Sequence, residues 1–589
     1  MKRITSLTII ILFVFFCTGM MYAQQNKEDK KFQKTLEKYL DKLWEFYPTQ
    51  ATKEGYHEYD DELEDLRERK IDSRYEEILE FSKKLIAEIN SQKLSPEYKI
   101  DFEIVRSSLD LELLNHESLL PWNYNPLFYN EIILDSVKHL LSSDFAALEQ
   151  RAENAKERLE NLSDFIDQAK KNLETPPKLF TETAVQQFTG IIDFYKIDIH
   201  QLIENAPESI KADIQEELTD LIPVLIDYQS YLENELLPNS TGNFRLGEQA
   251  YLKLLRATLF NDIPLQQLLA RADADYNNIR REMALVCLPF FKVMYPEINI
   301  EQLTAGKSDQ ANQNYIIKKV LEKIQSNHTS KEVYFSKVNS LVDEIKNFVS
   351  EKQLFDFPEV DLDIVPMPAE NTSKTWINLI SPGAYSSNGK YICQISPIPD
   401  DWTSEQENNF FEEYTDFLLY FWTVRNVYPG HCIPLYKSNQ KATLLRKLYP
   451  SKPLIKGWPL MVEEMLVYSG LGNYDLRLRL NQLKMRLKAV IDFQLDINIH
   501  QGGMTKEKAI DYMTKGGLQS EVEAERKWKY IILNPGEAVT TYVGLQEILD
   551  MEKKYKEIAG DSYSKKEFLN ELLSYGAIPI RFLKKKFQN

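Results

Sequence analysis

The feature that most constrains the fold of this chain is a helical pattern that runs almost unbroken over residues 26–354. Apolar side chains recur there at three- and four-residue steps, as over residues 148–173 and 218–236. Residues that interrupt helices are scarce, since the 589 residues include only 20 Gly and 25 Pro. The apolar share of 43% is normal for a globular protein. The pattern therefore predicts a mainly α-helical protein with packed cores.

One segment, near residues 357–399, departs from this pattern. β-Forming residues concentrate or alternate at 360–365 and 391–395, and turn-forming Pro-Gly and Asn-Gly pairs lie between them. We expect a small β-sheet or hairpin there. Because no linker-like composition divides the chain, we predict a single large helical domain over residues 24–589 with this β insert.

The N-terminus has the features of an export signal. Lys2 and Arg3 precede an apolar run, Leu7 to Phe16, that is too short to remain as a bilayer span, and Ala23 marks a suitable cleavage point. We predict that residues 1–23 are a secretory signal peptide and that the mature protein is periplasmic or secreted. A retained membrane anchor is the alternative.

A cysteine in this region raises a second alternative. Cys17 would be the acylated residue of a lipoprotein, but bulky Phe16 precedes it where a small residue is expected. Lipoprotein anchoring is therefore the less favoured interpretation. We expect no transmembrane span after removal of the signal, because no later segment is long and apolar enough.

The charge balance argues against one class of partner. Lys and Arg total 71 and Asp and Glu total 89, a net charge of −18. Such a chain has no general attraction for nucleic acid phosphates.

The mature chain keeps Cys287, Cys393 and Cys432, which allow at most one internal disulfide. A pairing of Cys393 with Cys432 is left open.

The first candidate site lies at the end of a predicted helix that opens at Ser404 with a capping box. The apolar stripe of this helix brings Arg425 to its inward side. Pro429 follows and cannot donate to the carbonyl of Arg425, so the helix should kink or stop there. Only such a break would bring Arg425 near His431, because in a straight helix the two lie about 120° apart.

The second candidate is a carboxylate in an apolar stripe. Glu463 follows Lys456-Gly-Trp-Pro459, which we expect to lead into a helix with Pro459 near its start and Gly470 as its stop. A buried carboxylate needs a partner, or its pKa rises. An ion pair and a catalytic role are both open for Glu463.

Two further segments carry polar groups at helical spacing. Asp496 and His500 lie four residues apart, an arrangement that can fix an imidazole tautomer for proton transfer or metal ligation. A structural hydrogen bond is the commoner outcome of this spacing. Tyr542 lies two turns into a helix that should start just after Pro535. Its hydroxyl can stabilise an oxyanion, or the residue can be a core tyrosine.

Several enzyme classes are excluded by what the sequence lacks. None of the seven histidines are four residues apart, so no His-Glu-x-x-His zinc helix exists. The chain also has no Gly-x-Ser-x-Gly elbow, no phosphate-binding loop and no dinucleotide fingerprint. The residues alone indicate an exported helical protein without a defined reaction.

Taken in order, these segments resemble a bacterial family known as domain of unknown function 885. The resemblance covers almost the whole mature chain, and it rests on the ordered set rather than on any one motif. Its parts are Pro48-Thr-Gln-Ala-Thr-Lys-Glu-Gly55, Ser381-Pro-Gly-Ala-Tyr385, Tyr428-Pro-Gly-His431, Gly457-Trp458 with Glu463, the Asp496/His500 helix, Pro535-Gly536 with Tyr542 and Gly544, and Gly576-Ala-Ile-Pro579.

The resemblance implies a zinc-peptidase-like fold related to the thermolysin superfamily, mostly helical around a deep cleft. Members of the family typically carry His-Glu-x-x-Pro-Gly-His and then Glu-Gly-Trp-Ala-x-Tyr-x-Glu. On that model the first His and the Glu of Glu-Gly-Trp are zinc ligands, and the Glu after the first His is the general base.

This chain departs from the family pattern at those very positions. Arg425-Asn426 stands where the family has His-Glu, and Lys456 stands in place of the Glu of Glu-Gly-Trp. Asn cannot act as a base, and fixed positive charge repels a dication. We therefore expect a degenerate metal site without zinc, in which Arg425 or Lys456 forms an ion pair with Glu463.

We predict a peptidase-like protein that has lost zinc and hydrolysis and that binds a peptide or another carboxylate-bearing ligand through Arg425 and Lys456. The family positions that this chain retains are His431, Glu463, Asp496, His500 and Tyr542. One alternative is an active metallohydrolase with a repositioned zinc at His431, Glu463 and His500. Another is a metal-free hydrolase that uses Asp496 and His500. A purely structural surface protein is less favoured, and the oligomeric state is open.

Overall fold

The computed structural model describes residues 26–260, 263–299, 309–325, 328–356, 359–372, 376–386, 389–441 and 443–586. The predicted signal peptide at residues 1–23, including Cys17, lies outside these residues. No helix in the described ranges is long and apolar enough to cross a membrane.

Helices build the first part of the chain, as the apolar periodicity predicts. The α-helices before the β insert are Lys27–Phe46, Pro48–Glu54, Glu68–Glu88, Pro96–Leu114, Pro121–Tyr124, Pro126–Ser142, Leu148–Asn172, Lys178–Asp193, Ile199–Leu202, Glu208–Tyr231, Gly247–Leu259, Leu265–Met294, Asp309–Gln325 and Lys331–Lys352. Short π-helical turns extend three of them, at Asn115–Leu119, Phe194–Asp198 and Leu232–Leu236.

Helices also dominate the second part of the chain. Its α-helices are Ala369–Thr372, Ser404–Glu413, Asp416–Asn426, Cys432–Lys441, Leu444–Leu448, Lys452–Tyr468, Leu476–His500, Lys506–Asp511, Glu521–Leu533, Glu537–Ala559, Lys565–Leu573 and Ile580–Lys586. A further π-helical turn follows at Tyr512–Gly516. Short 3-10 turns lie at Ser91–Lys93, Leu237–Asn239, Leu471–Tyr474 and Gly560–Ser562.

The predicted β insert is a three-stranded mixed sheet. Strands β1 (Leu362–Pro366) and β3 (Tyr391–Ile395) occupy the two segments that the sequence indicates, and they pair in parallel. Strand β2 (Ile377–Ile380), which the sequence analysis does not predict, pairs antiparallel with β3. The strand order is therefore β1-β3-β2, with β3 in the centre.

Three clusters of buried apolar side chains form the interior. One joins the N-terminal helices to the sheet and the C-terminal helices, a second lies within residues 66–236, and a third surrounds the helix Leu476–His500. This last helix contributes side chains to the first and third clusters and is buried along nearly all of its length. The single-domain organisation of residues 24–589 stays a prediction.

Two helices approach each other at glycines on both sides. A Cβ atom on Gly457 would lie 2.4 Å from the carbonyl carbon of Gly544, and a Cβ atom on Gly544 would lie 1.8 Å from the carbonyl oxygen of Pro453. Larger side chains cannot fit there. The helices Lys452–Tyr468 and Glu537–Ala559 therefore pack backbone against backbone, which fixes their relative position.

Two helix boundaries near the candidate site differ from the prediction. The helix at Ser404 ends at Glu413, and Thr415 caps a new helix, so the stripe that leads to Arg425 is not continuous. Pro459 lies inside a helix that already begins at Lys452. An earlier capping residue explains this second difference, because the Ser451 side chain accepts a hydrogen bond from the backbone at the start of this helix.

The cysteines of the described residues are free thiols. Cys287, Cys393 and Cys432 are all buried, and none forms a disulfide. Burial raises the pKa of each thiol to about 12. The pairing that the sequence leaves open for Cys393 and Cys432 is absent from this structure.

Candidate functional site

A break between two helices brings the first candidate residues together. The helix Asp416–Asn426 ends before Val427, whose backbone angles are not helical, and the chain turns through Pro429. The backbone N–H of His431 then donates to the carbonyl oxygen of Arg425 at 3.0 Å. The predicted break at Pro429 is confirmed, and it places Arg425 and His431 beside the same cavity.

Arg425 and Glu463 form a two-point ion pair. The Nε–H of Arg425 donates to Oε1 of Glu463 at 2.8 Å, and Nη2 donates to Oε2 at 3.1 Å. Glu463 is fully buried, and the side chain of Arg425 is 16% exposed. Burial raises the pKa of Glu463, while Arg425 acts in the opposite direction. The ion pair predicted for Glu463 is confirmed, with Arg425 as its partner.

The cavity has a volume of about 220 Å³, and its wall includes Arg425, Asn426, His431 and Lys456. Aromatic side chains form another part of the wall: Trp376, Tyr414, Trp422 and Tyr530. The remaining charged residues of the lining are Lys488, Asp492, Glu523, Arg526, Lys527 and Glu537. Five cations thus face three carboxylates across the cavity.

Lys456 differs from the other cations of the lining. All three carboxylates are already engaged, through the pairs Lys527–Asp492 at 2.8 Å, Lys488–Glu523 at 2.9 Å, Arg526–Glu523 at 3.4 Å and Lys452–Glu537. Arg425 is held by Glu463. The Lys456 ammonium has no hydrogen bond or ion pair with any residue that the structure describes. It is the unpaired positive charge of the cavity.

The imidazole of His431 is neutral in this environment. Burial lowers the pKa of His431 well below 6.5, and the positive charges of Lys456 and Arg425 add to the effect. Burial also lowers the pKa of Lys456, although Glu537 acts in the opposite direction. The cavity wall therefore contains the uncharged imidazole of His431 and the Lys456 side chain, which has no ion-pair partner among the described residues.

Asp496 is not part of the cavity lining and lies at the start of the helix Glu537–Ala559. Its carboxylate accepts hydrogen bonds from the Tyr251 hydroxyl at 2.9 Å and from the backbone N–H groups of Gly536 and Ala538 at 3.0 and 3.1 Å. Burial raises the pKa of Asp496 to about 7 against these three donors, which favour the ionised form. Its contacts cap a helix from a distant part of the chain.

The predicted Asp496–His500 pair is not formed. His500 lies on the same helix, but its Nε2 is 3.0 Å from the backbone carbonyl oxygen of Ile531, and its ring stacks on Tyr251. Burial lowers the pKa of His500. The imidazole has a structural hydrogen bond in place of a carboxylate partner, because Asp496 faces the start of another helix.

Tyr542 also lies outside the cavity lining. Its hydroxyl donates to Oδ2 of Asp275 at 2.8 Å, and the Gln546 side chain donates to the same oxygen at 2.8 Å. The ring packs against Phe493 in the core. Of the predicted residues, the cavity thus gathers Arg425, Lys456 and His431, with Glu463 behind Arg425, while Asp496, His500 and Tyr542 serve other contacts.

A buried charge network beside the cavity was missed by the sequence analysis. Lys484 and Lys488 both bond Glu413, and Lys488 also bonds Glu523. Lys484 is 2% exposed and Glu413 is 3% exposed. The signal in the sequence is two lysines four residues apart on one helix, with Leu480, Leu487 and Ile491 three or four residues away from one or other of them.

The residues at the positions where the resemblance implies zinc ligands do not fit a zinc ion. Both oxygens of Glu463 are occupied by Arg425, and Lys456 adds a second positive charge beside His431. An ammonium and a guanidinium have no lone pair to donate to a metal. Within the described residues, no group of three or more His, Cys, Asp or Glu side chains is arranged to hold a metal ion.

The chain belongs to a bacterial family of unknown function, DUF885, whose model matches residues 48–587. Its fold is similar to that of two solved structures. A candidate lipoprotein of unknown function from Shewanella oneidensis is 23% identical, with a TM-score of 0.77 over 95% of this chain and 100% of that chain. A candidate lipoprotein from Colwellia psychrerythraea is 16% identical, with a TM-score of 0.72 over 95% and 99%. No curated protein matches the chain.

Proposed function

We propose that the protein is an exported binding protein, built on a peptidase-like helical scaffold that has lost its zinc site, and that the cavity takes a carboxylate-bearing ligand such as the C-terminus of a peptide. The observation that carries this proposal is the unpaired ammonium of Lys456 in a cavity whose other charges are paired. A buried cation without a counter-ion is costly, and a bound anion removes that cost.

Arg425 offers the second contact to such a ligand. A guanidinium has five N–H donors, and the pair with Glu463 uses two of them. The remaining donors lie on a side chain that lines the cavity. A carboxylate held by these donors and by Lys456 would form charge-assisted hydrogen bonds, and Trp376 and Trp422 would contact an apolar group beside it.

Export and loss of zinc complete the proposal. The sequence of residues 1–23 supports export, and both similar structures are candidate lipoproteins. Loss of zinc is supported by the cations Arg425 and Lys456 at the positions where the resemblance implies ligands. The Arg425–Glu463 pair also argues against a repositioned zinc, since it engages a carboxylate of that alternative site. The protein would then keep the shape of a peptidase site while its chemistry is that of an anion receptor.

The test is a calorimetric titration of the full mature chain with an N-acetyl amino acid and with the corresponding N-acetyl amide. We expect the free carboxylate to bind and the amide to fail. Lys456→Met should weaken binding about 10- to 100-fold, as expected for loss of a hydrogen bond to a charged group. Lys553→Met is the control, because Lys553 is an exposed lysine on the helix Glu537–Ala559 and lies outside the lining. Equal binding of acid and amide, or unchanged binding by Lys456→Met, would overturn the proposal.

A further inference from the structure

We propose that Lys456 is a nucleophilic amine that condenses reversibly with a 2-oxo acid bound in the cavity, forming an imine. This inference rests on the proposed function, because the remaining donors of Arg425 would hold the carboxylate of the oxo acid while Lys456 reaches the adjacent carbonyl group. It adds a covalent activity and a narrower ligand class, namely acids that carry a carbonyl group next to the carboxylate.

The geometry separates Lys456 from the other amines of the site. Lys488 and Lys527 form ion pairs with Glu523 and Asp492. Lys456 faces the cavity without such a partner among the described residues, and Glu537, an acid of the same lining, is paired with Lys452. An amine attacks a carbonyl only after it loses a proton, so an unpaired amine is the one best prepared for attack.

The surrounding charges act in the same direction. Burial lowers the pKa of Lys456, Glu537 raises it, and the cations Lys452, Lys527 and Arg425 lower it further. Desolvation and a neighbouring cation are the two ways in which proteins activate lysines for imine chemistry. Both are present at Lys456.

His431 can move the proton that the reaction requires. Its neutral imidazole lines the same cavity and is close enough for Lys456 to affect its pKa. The imidazole accepts a proton from the ammonium, and the free amine then attacks the carbonyl carbon. A new C–N bond forms, and the carbonyl oxygen takes up the proton. His431 then carries a second proton from the nitrogen to the new hydroxyl group, and the loss of this group as water gives the protonated imine.

The step balances without any other reactant. One ammonium and one carbonyl compound give one protonated imine and one water, with no change in oxidation state. The protonated imine keeps the positive charge of Lys456, so the net charge of the cavity with its bound acid is the same before and after the reaction. The remaining donors of Arg425 would orient the carboxylate throughout.

The experiment is reductive trapping with pyruvate and sodium borohydride. Pyruvate is added to the full mature chain, borohydride reduces any imine to a stable amine, and mass spectrometry of the intact chain and its peptides locates the product. We expect one reduced pyruvyl group on Lys456, with a yield that saturates as pyruvate is increased. An N-acetyl amino acid, which has the carboxylate but no keto group, should compete.

Two variants make the result decisive. Lys456→Arg keeps the charge but cannot form the imine, so the adduct should disappear, whereas Lys553→Arg, at an exposed lysine outside the lining, should trap pyruvate as the wild type does. Adducts scattered over surface lysines, or none on the wild type, would overturn the inference. If the N-acetyl amino acid still binds in that case, the anion receptor stands and only the imine fails; if it does not bind, both fail.

Discussion

Arg425 and Glu463 meet in a two-point contact, with nitrogen–oxygen distances of 2.8 and 3.1 Å and a fully buried carboxylate. The pair links the helix Asp416–Asn426 to the helix Lys452–Tyr468. It also affects the charge of the cavity wall, because Glu463 forms its ion pair with Arg425, while Lys456 has no ion pair with any residue that the structure describes.

Removal of one partner of this pair should lower the stability of the folded protein. Arg425→Met leaves the Glu463 charge buried and unpaired, so we expect the free energy of unfolding to fall by about 3–5 kcal/mol. The double variant Arg425→Met/Glu463→Met should recover most of this loss, since apolar side chains of similar volume replace both charges. Urea unfolding of the three proteins measures both effects.

An exposed pair provides the control. Arg477 bonds Asp475 at 2.6 Å, but its side chain is 45% exposed. Arg477→Met should therefore cost about 1 kcal/mol or less. A similar cost for Arg425→Met would contradict the role given to the buried pair.

The degenerate-site interpretation predicts that zinc binding can be restored. The triple variant Arg425→His/Asn426→Glu/Lys456→Glu removes both cations and frees Glu463, and it supplies an imidazole and a carboxylate to a metal. We expect this variant to bind one zinc ion that survives dialysis, while the wild type retains less than one equivalent. Metal analysis of both purified proteins decides this. A variant that gains no zinc would show that these segments are wrongly matched to the family motif.

The shifted pKa of His431 predicts a pH dependence of stability. Because the folded state disfavours the imidazolium, the unfolded chain binds the extra proton first as pH falls below 6.5. The contribution of the neutral His431 to the free energy of unfolding is thus complete above pH 6.5. It decreases as the pH falls towards the lower pKa that His431 has in the folded protein. His431→Gln should show a smaller decrease between pH about 7.5 and about 5.5. Parallel curves for variant and wild type in chemical unfolding would contradict this.

Ligand affinity should depend on pH through Lys456. A carboxylate prefers the protonated amine, so affinity should fall as pH rises through the pKa of Lys456, which lies below its ordinary 10.5. Lys456→Arg stays protonated, and its affinity should persist to higher pH. Calorimetry over an alkaline pH series compares the two proteins. An identical pH profile would show that Lys456 does not contact the ligand.

Asp496 should matter for stability and not for ligand binding. Asp496→Ala leaves the Gly536 and Ala538 amides and the Tyr251 hydroxyl without their acceptor, and we expect a loss of roughly 2–4 kcal/mol. Tyr251→Phe removes one of these bonds and should cost about 1 kcal/mol. Affinity for an N-acetyl amino acid should remain within about twofold of the wild type. A large loss of affinity at unchanged stability would return Asp496 to the binding site.

The helices and the insert could be predicted because their signals are local. The helix Leu148–Asn172 and strands β1 and β3 follow directly from side-chain periodicity. Strand β2 is only four residues long, too short to show a period. The interior Pro459 misled the prediction because the stronger start signal is Ser451, which precedes it by two turns.

The candidate site could be predicted only in part, because much of it depends on contacts distant in sequence. Arg425, His431 and Lys456 were found from their positions in motifs, and the break at Pro429 follows from backbone chemistry. Spacing alone suggested that Asp496 and His500 would pair, but Tyr251, which is 245 residues away from Asp496, competes for the carboxylate. Such a partner has no local signal in the sequence.

The glycine contact between Gly457 and Gly544 has a consequence for substitutions at residue 456. The position of the helix Lys452–Tyr468 is set by the contact of its backbone with that of the helix Glu537–Ala559. The side chain at residue 456 therefore has little influence on the position of its own Cα atom. A substitution at residue 456 should therefore change the charge of the cavity wall without moving the helix that carries the side chain.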